Sequence, residues 1–179
     1  AACGLNGARC ISRTSNSATG MALMIRGTTK LIAHLGYPTE SFKAPMIYNP
    51  YFASRAIDAV VVPMGCKAPE YPAFLKLLFK LTNIHGALIT MPHKVSTIAL
   101  LDEVLTTAQI AGACNAIRLG ADGQLIGDMF DGEGFVRGVL RKGRVVKDAR
   151  ALVVGCGGVG SAIAAGQGRH RATDGIRPG

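Results

Sequence analysis

The chain has 179 residues, is 49% apolar and only 17% charged, with a mean hydropathy of +0.28. That composition excludes a disordered protein, and the length suffices for one domain or one domain plus part of a second. The net charge is +9, but both ends are basic (Arg9 and Arg13; Arg169, Arg171 and Arg177 against Asp174) and no basic stripe with interleaved aromatics runs between them, so a nucleic-acid partner is not expected.

Residues 1–20 are rich in Gly, Ser, Asn and Ala, lack any period and precede the first methionines, Met21 and Met24. They read as a disordered or artefactual extension. TKLIAHLG (29–36) is a short apolar strand, and APMIYNPYFASR (44–55) has the spacing of an amphipathic helix. IDAVVVPMG (57–65) reads as a strand covered on both faces. PEYPAFLKLLFKLTN (69–83) predicts a helix with Phe74, Leu77, Leu78 and Leu81 on its buried face, and GALITMPHK (86–94) a buried strand ending at Pro92. This β-α-β-α-β order predicts an α/β fold with a mainly parallel sheet covered on both sides. A helical stretch over about 95–111 follows, then two strands, 114–119 and 124–130, joined as a hairpin by the turn GADG. DGEGFVRGVLRKG (131–143) reads as a helix capped by Asp131. ALVV (151–154) is a further strand, followed by a glycine turn and the helix start SAIAA.

No apolar run reaches the roughly 18 residues that a membrane helix needs, so a soluble, cytoplasmic protein without a membrane partner is expected. The five cysteines (Cys3, Cys10, Cys66, Cys114, Cys156) are odd in number and widely spaced, with no CxxC pair. They argue for free thiols and against a metal centre.

Three constellations can carry chemistry. Gly155, Gly157 and Gly160 stand in GxGxxG spacing between a strand and a helix, with Gly158 beside them. Such a turn lets a dinucleotide pyrophosphate approach free amides at a helix N-terminus. The acid that usually follows about 20 residues later for the ribose has no clear counterpart; only Asp174 stands nearby. In TMPHK (90–94), Lys94 sits where open α/β sheets bind ligands and can act as a base if its surroundings lower its pKa, whereas His93 reads as a structural or surface residue. In GACNA and GDMFDG, Asn115 offers a paired donor and acceptor, and Asp131 a carboxylate.

Taken jointly, these residues resemble the shikimate dehydrogenases over roughly residues 31–165: Gly36-x-Pro38, Pro45 and Asn49, Thr90-x-Pro92-His93-Lys94, Gly112-Ala113-x-Asn115, Asp131-Gly132-x-Gly134-Phe135 and the glycine turn. The resemblance implies a substrate-binding catalytic domain (21–143), the start of an NAD(P)-binding Rossmann domain (144–165) and a cleft between them. It implies Lys94 and Asp131 as catalytic residues, Thr90 and Asn115 as substrate-binding ones, and hydride exchange between NADP or NAD and shikimate, quinate or a related hydroxy acid. A methylenetetrahydrofolate dehydrogenase relative and a non-catalytic small-acid-binding domain are the alternatives, and a homodimer stays open. The chain departs from the family where a Ser-x-Ser pair usually grips the substrate carboxylate: Phe42, Lys43 and Ala44 stand there, with Ser41 and Lys43 as the substitutes on offer. Tyr48 and Leu88 replace a usual histidine and asparagine, which predicts a more apolar corner.

Residues 166–179 are expected to be aberrant, because a helix just begun should not dissolve into glycine and arginine. Read one base later, permitted codons for GQGRHRATDGIRP allow AKAGIARLTAFDP, so a frameshift is the expectation. The acid completed in that frame would favour NAD over NADP. The chain as written is expected to be inactive on its own.

Overall fold

The computed structural model describes residues 25–155 and 157–172. The extension at 1–20, Cys156 and the tail beyond 172 lie outside these described residues. Among them, six strands form one mixed sheet in the order β2 (Ala59–Gly65), β1 (Lys30–Gly36), β3 (Ile84–Ile89), β5 (Ala116–Leu119), β6 (Leu125–Asp128) and β4 (Glu103–Val104). β1 (Lys30–Gly36) pairs in parallel with β2 (Ala59–Gly65) on one side and with β3 (Ile84–Ile89) on the other. β5 (Ala116–Leu119) and β6 (Leu125–Asp128) form the expected hairpin and join β3 in antiparallel sense, with Gly123 at φ +83° in the turn. The α/β architecture is therefore as expected, with parallel pairs at both ends of the sheet, β2-β1-β3 at one and β6-β4 at the other, and the antiparallel hairpin between them.

One face of β1, carrying Ala33 and Leu35, is buried with Tyr71, Leu75 and Leu78 of α2 (Tyr71–Leu78) and with Ala87, Ile89 and Ile117 of the neighbouring strands. This α2 is shorter than the 69–83 expected, and its phase differs: Leu77 and Leu81 are exposed, whereas Tyr71, Leu75 and Leu78 turn inward. Leu78 and Phe74 of the expected face do pack on the core, and the buried 71/75/78 set, an i, i+4, i+7 stripe, is turned toward Tyr71 and away from Leu77 and Leu81.

On the opposite face, α1 (Ala44–Ser54) lies against β2 and is joined to it by Asn49. The Asn49 amide donates to the Val61 carbonyl (3.1 Å) and its oxygen accepts the Val61 N–H (2.8 Å). β2 is an edge strand, and Asn49 supplies the partner that a further strand would otherwise provide. The same edge position tolerates Pro63 within the strand.

The continuous helix expected over 95–111 is replaced by a 3-10 segment (Ser96–Leu100), β4 (Glu103–Val104) and α3 (Thr106–Ala111). The cause is Asp102. Its carboxylate accepts the Leu125 N–H at 2.8 Å and its own N–H donates to the Leu125 carbonyl, drawing the chain alongside β6. Satisfying those strand groups outweighs helix propensity.

α4 (Asp131–Arg141) starts one residue earlier than a cap at Asp131 would require: Phe130 is the N-cap, and the Asp131 side chain makes no capping bond. Leu152 and Val154, expected in a strand at 151–154, are exposed and without secondary structure, since no strand lies beside them among the described residues. α5 (Gly158–Ala172) packs on α3 and α4 and continues past the expected break at 166. Small residues at i, i+4 explain this: Ala162 and Gly166 both meet Gly132 of α4 backbone to backbone. Ala162 is buried in a second cluster with Ala108, Ala111, Ala113 and Met129.

Candidate functional site

The carboxyl ends of β1 and β3 open onto a segment, 90–94, that is held from several directions. The Thr90 N–H donates to the Leu35 carbonyl and the Tyr37 N–H to the Met91 carbonyl, with cis peptides at Tyr37–Pro38 and Met91–Pro92. His93 is buried, stacked on Tyr71 at 3.8 Å between ring centroids, and its Nε2 donates to the Cys66 carbonyl at 2.7 Å. Thr97 donates to the His93 carbonyl and is bonded to the Tyr71 hydroxyl at 2.7 Å. Burial raises the Tyr71 pKa, so this hydroxyl stays protonated. His93, for which the sequence leaves a structural or a surface role open, is thus structural, and the effect of this buried set is to fix the neighbouring Lys94.

Lys94 is met by two further elements. The Cys114 N–H donates to its carbonyl (2.8 Å), and the Asn115 N–H donates to the Asp128 carbonyl (3.0 Å), so the end of the 112–115 turn is tied to both segments. The Lys94 ammonium donates to Asp131 Oδ2 at 2.5 Å, and Asn115 Nδ2 donates to Asp131 Oδ1 at 2.7 Å. Asn115 Oδ1 in turn accepts the Phe130 N–H at 3.0 Å. The Asp131 carboxylate is held between a cation and an amide, at the first turn of α4 where the helix dipole also favours a negative charge. The Lys94 and Asp131 side chains are 14% and 25% exposed. They are reachable from solvent yet shielded enough for charge-assisted bonds to count.

Lys94 also borders a cleft of about 360 Å³ lined by Met91, Pro92, Val95, Gly155 and Gly157–Gly160. The glycine turn and the lysine therefore face one space. Gly155 has φ +98°, a backbone conformation that favours glycine. A Cβ on Gly160 would strike the Gly155 carbonyl oxygen, and one on Gly158 would lie 2.8 Å from the Ala113 side chain. The narrow turn and its unfilled cradle suit a pyrophosphate lying against the amides that start α5. Among the described residues no group of three or more His, Cys, Asp or Glu is placed to hold a metal. No helix among them is long and apolar enough to cross a membrane.

Of the residues expected from sequence, Lys94, Asn115 and Asp131 are joined directly, and Gly155, Gly157, Gly158 and Gly160 line the same cleft. Thr90 is half-buried beside Gly36, whose Cβ position its methyl group occupies. Ser41 and Lys43 are exposed on the approach to α1 and take no part in this network. Two residues have roles that the sequence does not disclose. Asn49, in the sequence only part of a pattern, closes the edge of β2. His34 was read only as part of a strand; it is buried, packed against Phe42 at 4.2 Å between ring centroids, and its Nδ1 has no partner. A polar residue at an alternating buried position of an otherwise apolar strand was the available signal.

A family profile described as the shikimate dehydrogenase substrate binding domain matches residues 35–117. Shikimate dehydrogenase (NADP(+)) of Rubrobacter xylanophilus is 34% identical over 140 residues, covering 78% of this chain and 49% of that protein. The enzyme of the same name from Pyrococcus furiosus is 34% identical over 141 residues, covering 79% and 51%. The chain thus spans about half the length of the curated relatives it matches. Among solved structures, a shikimate dehydrogenase in complex with NADP+ superposes with TM-score 0.72 at 34% identity, covering 79% of this chain and 48% of that one. Shikimate 5-dehydrogenase of Listeria monocytogenes, in complex with shikimate and NAD, gives TM-score 0.72 at 27% identity, covering 79% and 48%.

Proposed function

Because the chain belongs to the shikimate dehydrogenase family through its substrate-binding domain, we propose that it forms the catalytic half of an NADP-dependent oxidoreductase. The proposed reaction interconverts 3-dehydroshikimate and shikimate, or the corresponding pair of a related hydroxy acid such as quinate. The observation that carries this reading is the hydrogen-bonded set Lys94, Asp131 and Asn115 at the edge of a cleft that the glycine turn also lines.

In the reducing direction, the Lys94 ammonium donates its proton to the substrate carbonyl oxygen as that oxygen becomes a hydroxyl, and the lysine amine is reprotonated from solvent. Asp131 orients the ammonium through Oδ2 and keeps lone pairs free to accept from a substrate hydroxyl. Asn115, whose oxygen is fixed by the Phe130 N–H, holds Oδ1 of Asp131 and the rim of the site. Thr90 offers its hydroxyl to a second substrate oxygen from the adjoining segment. Gly155, Gly157, Gly158 and Gly160 would hold the pyrophosphate of the dinucleotide. The nicotinamide, when bound, supplies or takes up the hydride. NADP is favoured over NAD because the curated relatives are named for it. The loss of the hydroxyl pair at Phe42 and Ala44 leaves the choice among hydroxy acids to the experiment.

The test is NADP reduction with shikimate and with quinate by a protein carrying the nucleotide-binding half in full. Lys94→Ala is expected to lower kcat by about 10²–10⁴ while KM changes little. Turnover with neither acid, or equal losses in kcat and in substrate affinity, refutes the assignment.

A further inference from the structure

His34 sits in β1 between Ala33 and Leu35, which both enter the core beneath α2. Strand alternation sends His34 and Gly36 to the other face. That face is mapped by Gly36, where an added Cβ would meet the Thr90 methyl, the Met91 carbonyl oxygen and the Phe42 ring. In register beside His34 are Leu88 of β3 and Pro63 of β2, and two residues beyond Leu88 comes Thr90. The imidazole therefore lies under the Phe42 ring on the sheet face that leads to Thr90, within electrostatic reach of Lys94. It is 7% exposed, and Nδ1 is the one buried side-chain nitrogen or oxygen among the described residues that lacks a hydrogen-bond partner.

An unpartnered buried nitrogen is unusual in a native structure and calls for a cause. His93 shows what a purely structural histidine looks like in this molecule, with its ring stacked and its nitrogen bonded to a carbonyl. His34 has the ring packing without the bond. Phe42, Ala44 and Leu88 contribute no side-chain hydrogen-bonding group to this corner. Burial, and then the nearby Lys94 ammonium, lower the pKa of His34, so the ring is neutral and carries one donor and one acceptor.

The geometry points to His34 as a specificity-determining residue that bonds a hydroxyl group of a polyhydroxylated substrate through Nδ1. A neutral imidazole beside a lysine suits an uncharged hydroxyl, which can both donate and accept, rather than a carboxylate. The inference rests on the proposed dehydrogenase reading and names the substrate group that this corner recognises.

The experiment compares wild type, His34→Leu and His34→Gln in a protein carrying the nucleotide-binding half in full, measuring NADP reduction with shikimate and with quinate alongside the thermal midpoint. His34→Leu is expected to raise KM about tenfold for the better of the two acids with kcat nearly unchanged. The thermal midpoint should stay level or rise, because an unpaired buried nitrogen has been removed. His34→Gln, which restores a polar group, should recover part of the lost KM. An unchanged KM in His34→Leu, or no recovery in His34→Gln, overturns the inference while leaving the dehydrogenase reading in place. Absence of turnover in the wild type refutes the dehydrogenase reading itself. In that event, the ¹⁵N resonance of His34 Nδ1 under shikimate and quinate titration still decides the inference, which a resonance that moves with neither acid overturns.

Discussion

Asp131→Asn probes the central network with almost no change of shape. In the native site both carboxylate oxygens accept, one from Lys94 at 2.5 Å and the other from Asn115 at 2.7 Å. An asparagine has one acceptor oxygen and one NH₂ donor, so one of the two contacts becomes donor against donor and the other has a neutral amide oxygen in place of the carboxylate. Hydrogen bonds to charged groups contribute about 1.5–3 kcal/mol each. Since Lys94 and Asp131 are 14% and 25% exposed, water replaces part of that, and the low end applies. The net loss is then about 2–3 kcal/mol from the two contacts together. For a domain with a urea m-value of about 1.5–2 kcal/mol/M, the unfolding midpoint should fall by roughly 1–2 M. Urea unfolding followed by circular dichroism gives the number, and a cycle with Asn115→Ala should show a coupling of about 1 kcal/mol or more. A midpoint that does not move, or strict additivity in the cycle, would mean that the three side chains do not act as a unit.

Gly160→Ala drives a methyl group into the Gly155 carbonyl oxygen and should reduce NADP affinity by about tenfold or more, whereas Gly134→Ala, in α4 and outside the glycine turn, meets nothing within 4 Å and should leave it within about twofold. Calorimetric titration of both variants, in the protein with its complete nucleotide-binding half, checks the difference. Burial pushes the Cys114 thiol up to about 11, and it also raises that of Cys66. Peptide mapping after iodoacetamide treatment at pH 8 should therefore find both unmodified in the native protein and modified in urea. The Cys114 contribution to stability is fully present below the ordinary thiol value of 9.0 and is lost as pH rises toward 11, because only the unfolded chain releases its proton in that window. Asn49→Ala leaves the Val61 N–H and carbonyl without a partner at the β2 edge. A loss of about 1–2 kcal/mol is expected, with faster hydrogen exchange at Val61 than at interior positions of β1.

Much of the architecture was legible because it rests on short-range pattern. The apolar strands and the GADG hairpin follow from alternation and turn chemistry, and their pairing in one sheet follows from the β-α-β order. What escaped were features set by a distant partner. The break at Asp102 depends on Leu125, and the phase of α2 depends on which stripe the sheet accepts. Asp131 reads locally as a cap, since an acid before an apolar run often caps a helix, but Lys94, distant in sequence, takes the carboxylate instead. Lys94, Asn115 and Asp131 were visible as a set through their motif, although only the fold shows that one carboxylate joins the other two. For His34 the strand pattern marks a polar residue at a buried position, but the absence of a partner becomes visible only when its neighbours are in place.

The two glycines of the stretch DGEG face unequal demands, and that bears on how the segment could be re-engineered. Gly134 meets nothing within 4 Å of an added Cβ, so a library can vary it freely, and alanine there should firm the helix. Gly132 is the point where α5 crosses α4, and any side chain would collide with the Ala162 carbonyl. The residue after Asp131 is thus dictated by its neighbour helix rather than by chemistry at the carboxylate. Any attempt to retune the acid by reshaping its own helix turn must first relocate the one that carries the glycine cradle.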